Sequence, residues 1–487
     1  VRPARGAVPL AALAALLAGA LPFAAGTTAW PEIVAPAWFV TQGVRLYDSI
    51  LFPHTPLLIL LTAAAGALFG FSAAALRALP AASLAAAAVL VVAGVRPHRA
   101  SRAGQIAGFC VGLPLLILLN VYTEGPALWP EPFLSPFFLG GVLLLERHER
   151  TGETGALAGA GLAFGVAILV KQTAAWPFLA AFLWLVFRSR RRSRRLAATF
   201  AVAGALPYIG FALSWAIAFR TLAHVRWTLI YPVFSSHARE IATPVTSADV
   251  HEALVLVLPL AALLLGGAAC RPSARLRSPL VAVALSTAGM AWPRFGLLHL
   301  AGVTGLLALA SCRGLLLLRA GARRAPRISL ATLGALAGSG AAQAIVLCVA
   351  AFGAGPLLLD TAGGPVFFWD DSTTRALAES VRTRVPEGGE LLIFETRQTL
   401  YPLTGTHAPG GFYVNPGFWY YLRRDGADAR LVAALKARPG LPVLFREPLA
   451  DVESVRATRV YAFLASSTVP DGPAPGGSAW RRVALHR

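Results

Sequence analysis

The chain has 487 residues, 56% of them hydrophobic and only 14% charged, with a mean hydropathy of +0.63. That is far more apolar than a soluble domain of average usage, so the sequence reads as an integral membrane protein. Lys and Arg outnumber Asp and Glu by 43 to 23, for a formal net charge of +20. Most of these cations sit in short loops between apolar runs, which follows the positive-inside rule and argues against a nucleic-acid-binding face.

The opening run "VRPARGAVPLAALAALLAGALPFAAG" reads as an uncleaved first span. Its basic start and the small residues near Ala25 also suit a cleaved signal peptide, and both readings put Glu32 outside the cytoplasm. Basic clusters follow at Arg2/Arg5, "RPHRASR" (96–102), "ERHER" (146–150), "RSRRRSRR" (188–195), "CRPSARLRS" (270–278) and 313–327. If all of them are cytoplasmic, two crossings separate each cluster from the next. The apolar runs supply about eleven spans: 7–26, 73–95, 104–121, 127–145, 155–170, 173–187, 197–219, 252–269, 279–293, 296–312 and 328–352. Several are shorter than the ~20 residues of an ordinary transmembrane helix.

The run "TPLLILLTAAAGALFG" (55–70) is left out of that count. A crossing there would move the arginines of "RPHRASR" to the outside, and the run is short, so an interfacial or re-entrant helix is expected. It closes a long external loop over 27–72. The other external segments are 122–132, Lys171/Gln172, 292–299 and a longer loop over 220–252.

After 352 the composition changes. "ELLIFE" (390–395), "LPVLF" (441–445) and "RVYAFLA" (459–465) read as strands, and "RALAESVRTRV" and "ARLVAALKAR" as helices. "PDGPAPGGSAW" (470–480) reads as a flexible loop. The expected organisation is a mostly α polytopic domain over 1–352 and a small external α/β domain over 353–487. Cys110, Cys270, Cys312 and Cys348 show no CxxC spacing and read as packing residues.

Polar groups at a membrane boundary are costly, so their placement is informative. On the outer side stand Glu32, Asp48, His54, Glu124, Glu131, Lys171, Gln172, Arg226, Arg294 and His299. Carboxylates come early and cations later, which suits chemistry that deprotonates one group while an anion is held. A carboxylate beside lipid, such as Glu32, should have a raised pKa and suit a general base. Asp48 lies close to Arg45, so an ion pair or helix cap competes with a catalytic role. Lys171 is fixed between two apolar runs, where a phosphate head group would sit. "WPRFGLLHL" adds Arg294, whose guanidinium can hold phosphate oxygens bidentately, and His299. Glu124 and Glu131 lack a recognisable ligand spacing, and no metal is expected.

The stretch "E…P…W…QGVRLYDSILFPHTPLL…ALFG" resembles the first external loop of GT-C-fold glycosyltransferases, the group that includes protein O-mannosyltransferases and lipid A aminoarabinose transferases. "LVKQTA" and "WPRFGLLH" resemble later turns of bacterial members. The resemblance implies transfer of a sugar from a polyprenyl phosphate to a lipid, glycan or protein acceptor at the outer face of a bacterial cytoplasmic membrane. The placement of the basic clusters implies a cytoplasmic N-terminus and no nucleic-acid partner, and no cofactor is expected. Glu32 or Asp48 would be the base, and Lys171, Gln172, Arg294 and His299 would hold the lipid phosphate. His54, Glu124, Glu131 and Arg226 would contact sugar or acceptor. Many relatives carry Asp near the first span, whereas Glu32 is the only acid here before Asp48. The alternatives are a flippase for a lipid-linked saccharide and an inactive partner in an envelope glycan complex. The aromatic run "GTHAPGGFYVNPGFWYYL" (405–422) suits either sugar stacking or packing at the membrane interface.

Overall fold

The computed structural model describes residues 7–24, 27–95, 106, 108–123, 126–188, 193–230, 279–291, 297–321, 366–414, 426–446 and 456–484. In chain order the main elements begin with α1 (Ala7–Ala24), β1 (Thr27–Ala29), α2 (Pro31–Thr41), β2 (Ile50–Leu51), α3 (Leu57–Phe69) and α4 (Ala73–Gly94). Then come α5 (Leu113–Tyr122), α6 (Leu134–Thr151), α7 (Thr154–Val170), α8 (Ala175–Arg188), α9 (Ser193–Phe219), α10 (Pro279–Ser286) and α11 (Thr304–Gly321). The last part holds β3 (Val366–Phe367), α12 (Ser372–Arg382), β4 (Leu392–Phe394), α13 (Leu400–Thr404), β5 (Tyr413–Val414) and α14 (Ala427–Lys436). It ends with β6 (Pro442–Phe445), α15 (Arg459–Ser467), β7 (Thr468–Pro473) and β8 (Ala479–Val483).

The chain forms two compact units. One contains 1–26, 78–218 and 241–364; the other contains 27–77, 219–240 and 365–487.

The first unit is a helical bundle. Among the described residues, Ala73–Gly94 and Arg194–Phe219 are long and apolar enough to cross a bilayer alone. Shorter apolar helices include Pro9–Ala24, Gly108–Val121 and Thr154–Val170. The expected spans at 252–269 and 328–352 lie outside the described residues. The span expected over 127–145 begins later, because Pro130 precedes and Pro132 lies within a 3-10 turn, Glu131–Phe133, and α6 starts only at Leu134.

Helix α6 also runs on through "ERHER", where a loop is expected after the span ending at 145. Glu146 there is buried and accepts two bonds from Arg313, at 2.6 and 2.8 Å, while the same guanidinium donates to the Gly94 carbonyl at 2.7 Å. This ties the ends of α4, α6 and α11 together. Helices α7 and α9 meet through glycines: a Cβ added at Gly161 would overlap the carbonyl oxygen of Phe200, and one at Gly165 would overlap that of Gly204. Small residues let helix backbones approach closely where lipid gives no hydrophobic drive between helices.

The second unit gathers the segment 27–77 onto the C-terminal segment. Strand β1 pairs in parallel with β3 (Thr27 with Val366), and β2 with β5 (Ile50 with Tyr413). Helix α2 packs on α3 and α13. Its Trp38 stacks on His407 at 5.4 Å, and Phe39 meets Tyr401 at 5.0 Å and Tyr413 at 4.9 Å. Thus Phe412 and Tyr413, from the aromatic run, are buried packing residues; 415–422 lie outside the described residues. Helix α3 has 13 residues, about 20 Å at 1.5 Å per residue and short of a ~30 Å hydrocarbon core. Leu61, Leu68 and Phe69 on it are exposed.

A mixed sheet in the order β4-β6-β8-β7 completes this unit, with β4 and β6 parallel and the other pairs antiparallel. "ELLIFE" and "LPVLF" supply β4 and β6, and α12 and α14 stand where helices were expected. Two readings are corrected. "RVYAFLA" is helix α15, not a strand, because its first turn is capped twice: Thr458 accepts from the Tyr461 N–H at 3.2 Å, and Asp428 accepts from those of Arg459 and Val460 at 2.6 and 2.8 Å. "PDGPAPGGSAW" is ordered as parts of β7 and β8 around a turn. Strand β7 is at the sheet edge, where proline removes no ladder bond, and Gly472 (φ +112°) takes up a bulge.

Candidate functional site

In the helical unit three non-helical turns bring their polar side chains together. Glu131 comes from the 3-10 turn ahead of α6, and His299 from the 3-10 turn Leu297–Val303 ahead of α11. Lys171 follows α7 directly, where the backbone turns extended (φ −154°, ψ 129°) and leaves the helix. Its amide still donates to the Ala167 carbonyl, and its own carbonyl accepts from Ala174, 3.0 Å in each case.

The two 3-10 turns approach closely because residue 302 is glycine: a Cβ there would stand 3.1 Å from the Glu131 carbonyl oxygen. Neighbouring polar groups hold the turns. Ser83 donates to the Pro132 carbonyl at 3.1 Å, Ser135 accepts from the Gly305 amide at 3.2 Å, and Asn120 donates to Thr304 at 3.1 Å. Each of these pairs closes over a long stretch of chain, so no local motif marks it.

The Oε1 atom of Glu131 accepts from the Lys171 ammonium and also meets His299 Nδ1. Lys171 Nζ lies 3.3 Å from that same Nδ1. The Glu131 side chain is fully buried and that of Lys171 only 5% exposed, while His299 is 20% exposed and forms the open edge. The 3-10 turn places Glu131 outside α6, ahead of its first residue. Burial favours the neutral acid, but the charges and hydrogen bonds of Lys171 and His299 outweigh it and hold the carboxyl well below the usual carboxylate range.

The second carboxylate oxygen, Oε2, is buried with no hydrogen-bond partner among the described residues. A carboxylate oxygen in that state has an open acceptor position for a hydroxyl or a water. An ammonium has three donors; Glu131 takes up one on Lys171, and Nδ1 of His299 can accept a second only when it does not itself donate to Glu131. Among the described residues at least one N–H is thus left to offer an anion.

Glu32 belongs to the other unit. It is the second residue of α2, whose first turn is fixed by the Trp30 carbonyl accepting the amides of Ile33 and Val34 at 3.0 and 3.1 Å. The side chain is half-buried, its Oε2 has no partner among the described residues, and desolvation pushes the carboxyl up to about 7. Asp48 is exposed, on a turn in which the amides of Ser49 and Ile50 both donate to the Arg45 carbonyl. Arg45 itself lies over the Phe219 ring at 5.6 Å.

His54 is half-buried beside Phe52, and its carbonyl accepts from the Tyr47 hydroxyl at 2.8 Å. Arg226 is exposed in a π-helical turn, and Gln172 starts the turn after Lys171. Glu124 and Arg294 lie outside the described residues. The structure therefore joins Lys171 and His299, both expected at the lipid phosphate, with Glu131, expected at sugar or acceptor. Among the described residues no group of three or more His, Cys, Asp or Glu side chains is placed to hold a metal ion.

Residues 53–215 match the family model described as dolichyl-phosphate-mannose-protein mannosyltransferase. Among solved structures, ArnT from Cupriavidus metallidurans bound to undecaprenyl phosphate is similar with a TM-score of 0.60 at 13% identity, over 99% of this chain and 100% of that one. Its apo form gives 0.60 at 13%, over 99% of each. The Archaeoglobus fulgidus oligosaccharyltransferase tethered with an acceptor peptide gives 0.48 at 14%, over 90% of this chain and 69% of that one. No curated protein matches the sequence. The chain thus has the fold of ArnT, that of the GT-C glycosyltransferases.

Proposed function

We propose that this chain of GT-C fold moves a sugar from a polyprenyl-phosphate carrier to an acceptor hydroxyl, with inversion, at the outer face of a bacterial cytoplasmic membrane. The observation that carries the reading is the buried cluster of Lys171, Glu131 and His299. In an apolar bundle, ionised groups with a donor and an acceptor still open mark a substrate path. The family match over 53–215 and the likeness to ArnT with undecaprenyl phosphate support the same class of donor.

The acceptor oxygen attacks the anomeric carbon as the bond from that carbon to the phosphate oxygen breaks, and the electron pair leaves on the lipid phosphate. Glu32 takes the hydroxyl proton; a carboxyl near 7 suits a base at neutral pH. Lys171 donates its remaining N–H to the departing phosphate, and His299 adds a second polar contact at the open edge. The open oxygen of Glu131 accepts from a sugar hydroxyl. Arg294 assists with the phosphate, and Glu124, His54 and Arg226 contact sugar or acceptor. Lipid phosphate is already a good leaving group, so the chemistry needs one base and cations rather than two facing carboxylates around a water. The N-terminus is cytoplasmic and the C-terminal α/β segment external.

The test uses membranes containing the full chain and a panel of labelled undecaprenyl-phosphate sugars. Label should pass to a membrane or envelope acceptor, and Lys171→Ala should chiefly raise KM for the lipid donor. No transfer from any donor of the panel, with folded protein present, would reject the reading.

A further inference from the structure

We propose that Phe368 is the positioning residue for the Glu32 carboxylate, acting through Trp30. The inference rests on the reading of Glu32 as the base, and both residues lie in the same compact unit. Phe368 has φ +65°, a left-handed conformation that a bulky residue adopts only under constraint. Several contacts impose it. The Phe368 amide donates to Asp371 Oδ2 at 2.9 Å, its carbonyl accepts from the Thr399 hydroxyl, and the Trp369 amide donates to the Val366 carbonyl at 2.8 Å. The Arg397 guanidinium lies over its ring, 5.6 Å from the centroid. Asp371 is held in turn, since it caps α12 by accepting from the amide and hydroxyl of Thr374 at 3.1 and 2.7 Å.

This turn presents the ring to Trp30, with centroids 5.7 Å apart and planes at 45°. Trp30 is the residue before α2, and its carbonyl starts the helix. Just upstream, β1 is fixed to the same turn through Thr27 with Val366 and Thr28 with Phe367. The first turn of α2, with Glu32 in it, is therefore held from its backbone and from its leading side chain by one strained loop. Glycine would adopt this backbone without strain. The position instead carries an aromatic ring, which meets Trp30, the residue that begins the base's helix, as well as the Phe367 ring and the Arg397 guanidinium.

The test titrates Glu32 by infrared spectroscopy on the full chain in detergent, taking as its carboxylic band the one lost in Glu32→Gln. Phe368→Gly should lower the titration midpoint by about one pH unit and reduce kcat at least tenfold, with KM for an undecaprenyl-phosphate sugar changed less than twofold. Phe368→Trp should restore both. A midpoint and kcat unmoved in Phe368→Gly would overturn the proposal. Should that variant fail to accumulate, Trp30→Leu reads the same midpoint, and an unmoved value there overturns it equally. If Glu32→Gln retains transfer, the base assignment falls, while the infrared midpoint still decides the positioning.

Discussion

Lys171 and His299, 128 residues apart in the chain, meet with 3.3 Å between Nζ and Nδ1 and share a single oxygen of Glu131. An ion cluster buried this deeply is held together by compensation, since removing one partner leaves another charge without water or counter-ion.

Glu131→Gln should therefore destabilise the protein by about 3–5 kcal/mol, and it should abolish transfer. Glu131→Leu combined with Lys171→Met should regain much of the lost stability but no activity. Thermal unfolding in detergent of the single and double variants checks both statements.

Glu32→Gln should reduce transfer by about 10²–10⁴-fold, the usual contribution of a general base. In the wild type, activity should rise with pH through about 7 as the carboxyl ionises. Stability should run the other way. The folded state keeps a proton that the unfolded chain gives up near its ordinary 4.5, so the group's contribution is present below that value and is lost as pH rises through about 7. Glu32→Gln should then match the wild type's thermal midpoint near pH 4 and exceed it at pH 8.

Arg313→Met should cost about 3 kcal/mol through loss of the charge-assisted bonds that Arg313 makes to Glu146. The pH dependence of transfer should stay as in the wild type. Melting curves and a pH–rate profile on the same preparation separate the two effects.

Asp428→Ala should destabilise the C-terminal segment by about 2 kcal/mol, because two amides at the start of α15 lose their acceptor. Amide hydrogen exchange over 458–467 should quicken more than exchange over 442–445.

Strands β4 and β6 were legible because each is a short apolar run between turn-forming residues. Residues 459–465 looked like a strand for the same reason, their content of Val, Tyr and Phe, and the helix there is decided by a cap from Asp428, 31 residues upstream of Arg459. Lys171 was visible as a lone cation between apolar runs. Its pairing with Glu131, 40 residues away, was not, since nothing local to either residue specifies the other. The same holds for Arg313 and Glu146, separated by 167. Of the two candidate bases, burial distinguishes Glu32 from Asp48, and burial comes from tertiary packing that a single sequence does not display.

The glycine crossing of α7 and α9 sets how finely Lys171 can be aimed. Gly165 is six residues before Lys171, so the crossing acts as a fulcrum about 9 Å behind the ammonium's backbone. A methyl group at Gly165 would pry the two helices apart there, and a tilt of roughly 10° would carry residue 171 about 1.5 Å off its mark, a displacement of the size that can cost about a hundredfold in rate. The position of the cation thus depends on a helix crossing, and on a residue whose whole contribution is the side chain it lacks.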